Sequence, residues 1–230
     1  MFPDKRIAVT SLRKLYLKHG VRKKKVRQEK VLPGRLRQDY AHRCQVLFEE
    51  LDWARQEGRR VVFLDEINFT KRSLLLREYS GKNSNLSVDQ REVYVGYRSV
   101  IATMSGEGGV GLIQICTEAI DADSFLRFLK RLRQKYGRQP LALFMDQLQV
   151  HRASSLRNWW GWLDIKPVYN VSYSPELNPI EAVFAKVKAL FNRQRLNNLV
   201  NKVGFNMDRE IEAAFRAVTP EHCRACVRKS

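Results

Sequence analysis

The chain predicts a mixed α/β fold, a central sheet of parallel and antiparallel strands flanked by helices, and three observations carry that expectation. Two apolar runs of strand length, Val61-Val62-Phe63-Leu64 and Leu141 to Met145, stand far apart in sequence, and each is followed by an aspartate. Between them, strand-like Val93 to Thr103 and Val110 to Cys116 are joined by the glycine-rich Ser105-Gly106-Glu107-Gly108-Gly109, which reads as a hairpin. The segments before, between and after these runs repeat their apolar residues at helical spacing.

The elements follow in order. Thr10 or Ser11 is placed to cap a short helix through Lys18, with Leu12, Leu15 and Tyr16 on one face and Gly20 as its stop. A basic linker with the breaker Pro33-Gly34 follows, so residues 1–37 are set apart from a domain spanning 38–230. From Gln38 to Glu57 a helix is expected, with Ala41, Cys44, Leu47, Phe48, Leu51 and Ala54 inward. The strand Val61–Leu64 is expected to end at Asp65. Asp123 is expected to cap a helix carrying Phe125, Phe128, Leu129, Leu132 and Tyr136, stopped by Gly137. Leu141–Met145 is the second buried strand. A tryptophan-rich stretch at Trp159, Trp160 and Trp162 leads to a weaker strand near Lys166–Tyr169, a loop over Pro175–Pro179 and an amphipathic helix from Pro179 to about Asn192. Two short helices, near Asp208–Ala217 and after Thr219-Pro220, close the series.

Composition narrows the classes of function. The net charge of +18 calls for a polyanionic partner, because neutralised phosphates release condensed counterions. Residues 1–37 hold 13 Lys or Arg against 2 acids, so they concentrate that charge. Arg22, Lys23, Lys24, Lys25 and Arg27 are the first candidate DNA contacts. No apolar run approaches membrane-spanning length, the start lacks a signal peptide's apolar stretch, and four cysteines show no framework spacing. An intracellular protein is expected, nuclear in a eukaryote and otherwise cytoplasmic.

Two apolar strands that each end in a carboxylate share one design. If they are neighbours, Asp65 and Asp146 emerge side by side and repel unless a cation lies between them. Hard oxygen ligands favour Mg²⁺ or Mn²⁺. The bland alternative is that each aspartate merely ends a strand. Glu181 opens the amphipathic helix, with Asn178 placed as N-cap and Pro179 as first helical residue, so by local reasoning alone a capping-box glutamate is the favoured explanation of it.

The segment Tyr173-Ser174-Pro175-Glu176-Leu177-Asn178-Pro179-Ile180-Glu181 nevertheless resembles the mariner superfamily of cut-and-paste transposases. Phe63-Leu64-Asp65-Glu66 and Met145-Asp146 with His151-Arg152-Ala153 match that family's other two motifs, and 34 residues separate Asp146 from Glu181, the spacing of one of its branches. The resemblance implies a ribonuclease-H-like fold with Asp65, Asp146 and Glu181 as a catalytic triad holding two Mg²⁺ or Mn²⁺ ions. It also implies strand cleavage at element ends, transfer of 3′-OH ends into target DNA at TA sites, and work as a homodimer. Cleavage without transfer, or DNA binding without chemistry, are the alternatives. Gln147 stands where the family has Asn; with His151 and Asn178 it is expected to position the ligands. Residues 1–37 resemble the end of a helix-turn-helix region, and the chain starts inside it.

The remaining motifs are weaker. Lys186 and Lys188 are candidate phosphate contacts on the polar side of the Glu181 helix. Glu66 is expected to face solvent, and Gly106–Gly111 to be a turn, since no Lys-Ser or Lys-Thr follows. His222-Cys223-x-x-Cys226 lacks a second ligand pair for zinc. No membrane and no small-molecule substrate are expected.

Overall fold

The computed structural model describes residues 9–19, 39–70 and 96–230. It divides into two compact units, 1–37 and 38–230. In the first, helix α1 (Val9–Lys18) begins before Thr10 and Ser11, so neither residue caps it. Leu15, Tyr16 and Leu17 are each about half exposed. The rest of that unit, including Arg22, Lys23, Lys24, Lys25 and Arg27, lies outside the described residues.

The second unit is a five-stranded sheet in the order β3-β2-β1-β4-β5. Its strands are β1 (Arg60–Phe69), β2 (Arg98–Ser105), β3 (Gly109–Cys116), β4 (Leu141–Met145) and β5 (Ile165–Tyr169). β1, β2 and β3 pair antiparallel, whereas β1–β4 and β4–β5 are parallel. Helices α2 (Tyr40–Gln56), α5 (Ile180–Val200), α6 (Met207–Arg216) and α7 (Pro220–Val227) contribute to a core on one face. Helix α3 (Ala122–Tyr136) and the short α4 (Arg157–Trp162) border the other. Strand residues alternate between these cores as the pleat demands: Phe63, Ile67 and Phe69 go to the α5 side, and Val62 and Leu64 to the α3 side. Phe125, Phe128, Leu129 and Leu132 of α3 are fully buried, each stabilising by about 1.5–3 kcal/mol relative to exposure.

Several boundaries differ from expectation for identifiable reasons. β1 runs ten residues instead of stopping before Asp65, because antiparallel pairing with β2 carries it on to Phe69. The cap of α3 is Asp121, not Asp123: its carboxylate accepts from the Ser124 amide at 2.8 Å while the Ser124 hydroxyl accepts from the Asp121 amide. Gly137 ends α3 with φ +60°, a left-handed conformation that glycine adopts without strain. Phe48 and Ala41 of α2 are exposed; Leu47, Leu51 and Ala54 alone are buried. α5 extends eight residues past Asn192, because the buried stripe continues through Arg195, Leu196 and Asn198, two of them polar.

Candidate active site

Register brings the first two aspartates together. Parallel pairing runs from Arg60↔Leu141 to Phe63↔Phe144; continued by two residues, it sets Asp65 level with Asp146. Adjacent strands lie about 4.8 Å apart, so two carboxylates of the same pleat parity project side by side. β4 ends at Met145, which leaves β1 without a parallel neighbour at Asp65 and opens a notch in the sheet edge. Asp65 shares the parity of Phe63 and Ile67 and so faces α5.

The start of α5 answers it. A short 3-10 turn, Pro175–Leu177, precedes the helix, and Asn178 is extended (φ −105°, ψ 101°) and buried. Its side chain does not cap the helix. Asn178 Nδ2 instead donates to Asp65 Oδ2 at 3.0 Å, while its Oδ1 has no partner. The other oxygen, Asp65 Oδ1, accepts from the Glu66 amide at 2.7 Å. Nor does Glu181 close a capping box, since the Asn178 amide already donates to the Pro175 carbonyl at 3.0 Å. The Glu181 side chain is exposed, and its charge reaches Asp65. Burial, together with the Asp146 and Glu181 carboxylates, pushes the Asp65 carboxyl up to about 7, against the opposing pull of the Glu66 amide and of His151.

His151 is fully buried and belongs to the hydrogen-bonded class of histidine, not to one open to substrate. Its Nδ1 lies 2.9 Å from Asp146 Oδ1 and its Nε2 lies 3.6 Å from Glu66 Oε1. The ring packs on Phe125 with centroids 4.6 Å apart. Burial alone would lower this imidazole; Asp146 and Glu66 outweigh it and push it up to about 9. Glu66 therefore does not face solvent. It has the opposite pleat parity from Asp65, points to the His151 side, and its Oε1 is buried without a hydrogen bond.

Beyond these groups, Gln147 Nε2 donates to the Asn170 carbonyl at 2.9 Å, and Asn170 Nδ2 donates to the Ser174 carbonyl at 2.8 Å. Ser174 Oγ donates to the Tyr40 hydroxyl at 3.2 Å, and Tyr40 in turn donates to Glu176 at 3.1 Å. These contacts anchor the loop that presents Asn178 and Glu181 to α2 and the end of β5. Sequence reasoning missed Tyr40 and Asn170, which carry no local signal of their role. Lys186 and Lys188 are exposed on α5.

The donor set suits a divalent cation. It consists of carboxylate oxygens, one pair side by side, and burial together with the neighbouring carboxylates raises Asp65. Among the described residues no group of three or more His, Cys, Asp or Glu side chains is placed so that it could hold a metal ion. The same statement covers His222, Cys223 and Cys226. The two thiols are buried in the core, and burial pushes Cys223 up to about 11, which makes it a poor thiolate ligand.

Residues 60–200 match a family model described as DDE superfamily endonuclease. No curated protein matches the sequence significantly. Among solved structures, a Mos1 transposase paired-end complex with the left transposon end is 16% identical with a TM-score of 0.65, over 96% of this chain and 66% of that one. The mariner Mos1 paired-end complex with Mg is 15% identical, with a TM-score of 0.63 over 96% of this chain and 66% of that one. The Mos1 transposase catalytic domain with Raltegravir and Mn is 14% identical, with a TM-score of 0.59, over 87% of this chain and 92% of that one. At such identities the likeness shows the fold, a ribonuclease-H-like sheet as the motifs implied. The chain spans about two thirds, 66%, of the length of the transposase in the first of these complexes.

Proposed function

The chain belongs to the DDE superfamily of endonucleases, and from that premise we propose that it is the catalytic part of a DNA transposase. It hydrolyses phosphodiester bonds at element ends and transfers the freed 3′-OH ends into target DNA at TA sites, working as a homodimer. The observation that carries this reading is the level placement of Asp65 and Asp146 on neighbouring parallel strands, with Glu181 opening the helix that faces them.

Asp65, Asp146 and Glu181 would hold Mg²⁺ or Mn²⁺, two ions in all. When bound, such ions lower the pKa of the attacking water or 3′-hydroxyl and stabilise the leaving oxygen. The chain's own residues supply the geometry. Asn178 fixes the rotamer of Asp65, leaving the carboxylate's remaining lone pairs directed to the notch. His151 holds Asp146 from the opposite face and offsets part of the acidic excess. Gln147 ties the segment after Asp146 to the end of β5, so the strand end cannot drift. No side chain need become covalently modified.

The test is a nicking and strand-transfer assay with Mg²⁺ on DNA carrying the element's ends, comparing wild type with Asp146→Asn. Loss of at least 10³-fold in rate with unchanged DNA binding is expected, on the scale of removing a group essential to transition-state charge stabilisation. Equal activity in the two proteins would leave DNA binding without chemistry as the function.

A further inference from the structure

The exposed side of α3 carries the most lysines and arginines of any described helix, of which Arg131 donates to Gln114 at 3.0 Å and Lys135 to the Gly111 carbonyl at 2.7 Å. Arg127, Lys130, Arg131, Lys135 and Arg138, just past its end, are all exposed. They fall at helical spacing that gathers them into one stripe. None forms an ion pair with a carboxylate among the described residues. On α2 and α6 the cations are partly paired, Arg43 and Arg55 with Asp39 and Asp52 and Arg216 with Glu212, while α5 and α7 carry fewer exposed cations than α3. A row of like charges on one helix repels itself and is costly unless an anion lies along it.

Position gives the stripe a direction. Phe125 packs on His151, so the first turn of α3 lies at the site's end of the sheet, with Arg127 on the opposite, solvent face of that turn. The stripe then follows α3 for about 16 Å, at about 1.5 Å per residue, away from Asp146 and toward the end of the sheet where β4 begins. An aromatic group borders it. Lys130 Nζ lies 4.0 Å over the Trp159 ring, and Trp159 packs against Trp162 with centroids 6.0 Å apart. Trp162 is 84% exposed, an unusual state for the largest apolar side chain. Cations in file beside an exposed aromatic ring are the composition of a nucleic-acid track.

We infer that the outer face of α3, with Trp162 at its border, is a backbone-binding track for the DNA that flanks the reacting phosphate. Its length spans about five base pairs of duplex, at about 3.4 Å of axial rise each. Contact is through phosphate and is independent of base sequence; Trp162 stacks on a base where the strand is unpaired. This deepens the transposase reading by giving the substrate a path outside the acidic notch, and it rests on that reading only for the identity of the polyanion.

The experiment measures binding of the full chain to a 20-base-pair duplex of arbitrary sequence between roughly 50 and 300 mM salt, in the range where counterion release governs affinity. The triple variant R127Q/K130Q/R131Q is compared with wild type and with R224Q/R228Q/K229Q, which removes the same charge from around α7. Circular dichroism and the melting temperature confirm that each variant is folded. Each lost phosphate contact should flatten the slope of log K against log salt by about 0.9, so the α3 variant should lose about 2–3 and the α7 variant less than about 1. Trp162→Ala should weaken a single strand of the same sequence by at least about fivefold and the duplex little, on the scale of one base stack. A wild-type slope in the α3 variant, or equal loss in both triple variants, overturns the track. Asp146→Asn separates the two proposals, because it tests cleavage and leaves these slopes untouched.

Discussion

Asn178 directs its side-chain amide to Asp65 and leaves its own helix uncapped, so a residue that local pattern assigns to helix initiation is positioned by the site instead. Asn178→Ala should therefore cost more activity than stability. Loss of a group that orients a ligand typically lowers metal affinity or activity 10- to 100-fold, whereas the melting temperature should fall by less than about 5 °C, because the buried Oδ1 it removes is itself unsatisfied. A Mg²⁺ titration of cleavage, run beside a melt, distinguishes the two. Asp65 gives the complementary case. Its carboxyl is raised by burial and by two neighbouring carboxylates, so without a cation the site strains against its own charge. Asp65→Asn should melt higher than wild type in EDTA. Mg²⁺ at millimolar concentration should raise the wild-type melting temperature and leave that of the variant unchanged, since a ligand of the native state stabilises it by mass action. A wild-type melt indifferent to Mg²⁺ and Mn²⁺ would sink the metal assignment. Both aspartates could be read from sequence because each follows an apolar strand. Glu66 could not be placed, because its partner His151 lies 85 positions away and only pleat parity turns it inward.

At the scale of elements, sequence and structure agree where apolar periodicity is intact and part where polar residues occupy apolar positions. β3, β4 and α3 lie within a residue or two of expectation because an apolar run or helical spacing marks each of them. α5 is the instructive exception. Its second half reads as polar, yet Arg195 and Asn198 sit in the buried stripe one and two turns beyond Phe191. Arg195 is 1% exposed, burial lowers its affinity for the proton, and among the described residues its three guanidinium nitrogens have no hydrogen-bond partner; the Phe205 ring lies 5.9 Å away. A buried charge so poorly compensated costs more than its packing returns. Arg195→Met should raise stability by about 1–3 kcal/mol in urea denaturation. A destabilised variant would mean that this guanidinium has a counter-charge in the working protein. The Trp-rich stretch was opaque for the opposite reason: α4 is six residues long and has no fully buried residue, so it lacks the repeat that reveals a helix.

On the scale of the whole molecule, charge and core are distributed differently along the chain. Among the described residues both hydrophobic clusters are built from Tyr40 onward, whereas 13 of the 42 lysines and arginines lie in residues 1–37. A chain beginning at Gln38 should therefore melt within about 3 °C of the full protein, since its core is intact. Its DNA affinity should lose much of its salt dependence, because most of the concentrated charge is gone. A large drop in melting temperature would show that residues 1–37 contribute to the core after all. The pairing of Asp65 with Asp146 carries a last consequence. Each stands five positions from the first bonded pair of its strand, so their meeting depends on equal counts along two separate stretches. Exchanging side chains within 60–64 or 141–145 preserves those counts, while deleting one residue from either stretch would turn a carboxylate to the far side of the sheet. The site should accept spelling changes in these strands far more readily than any change of length.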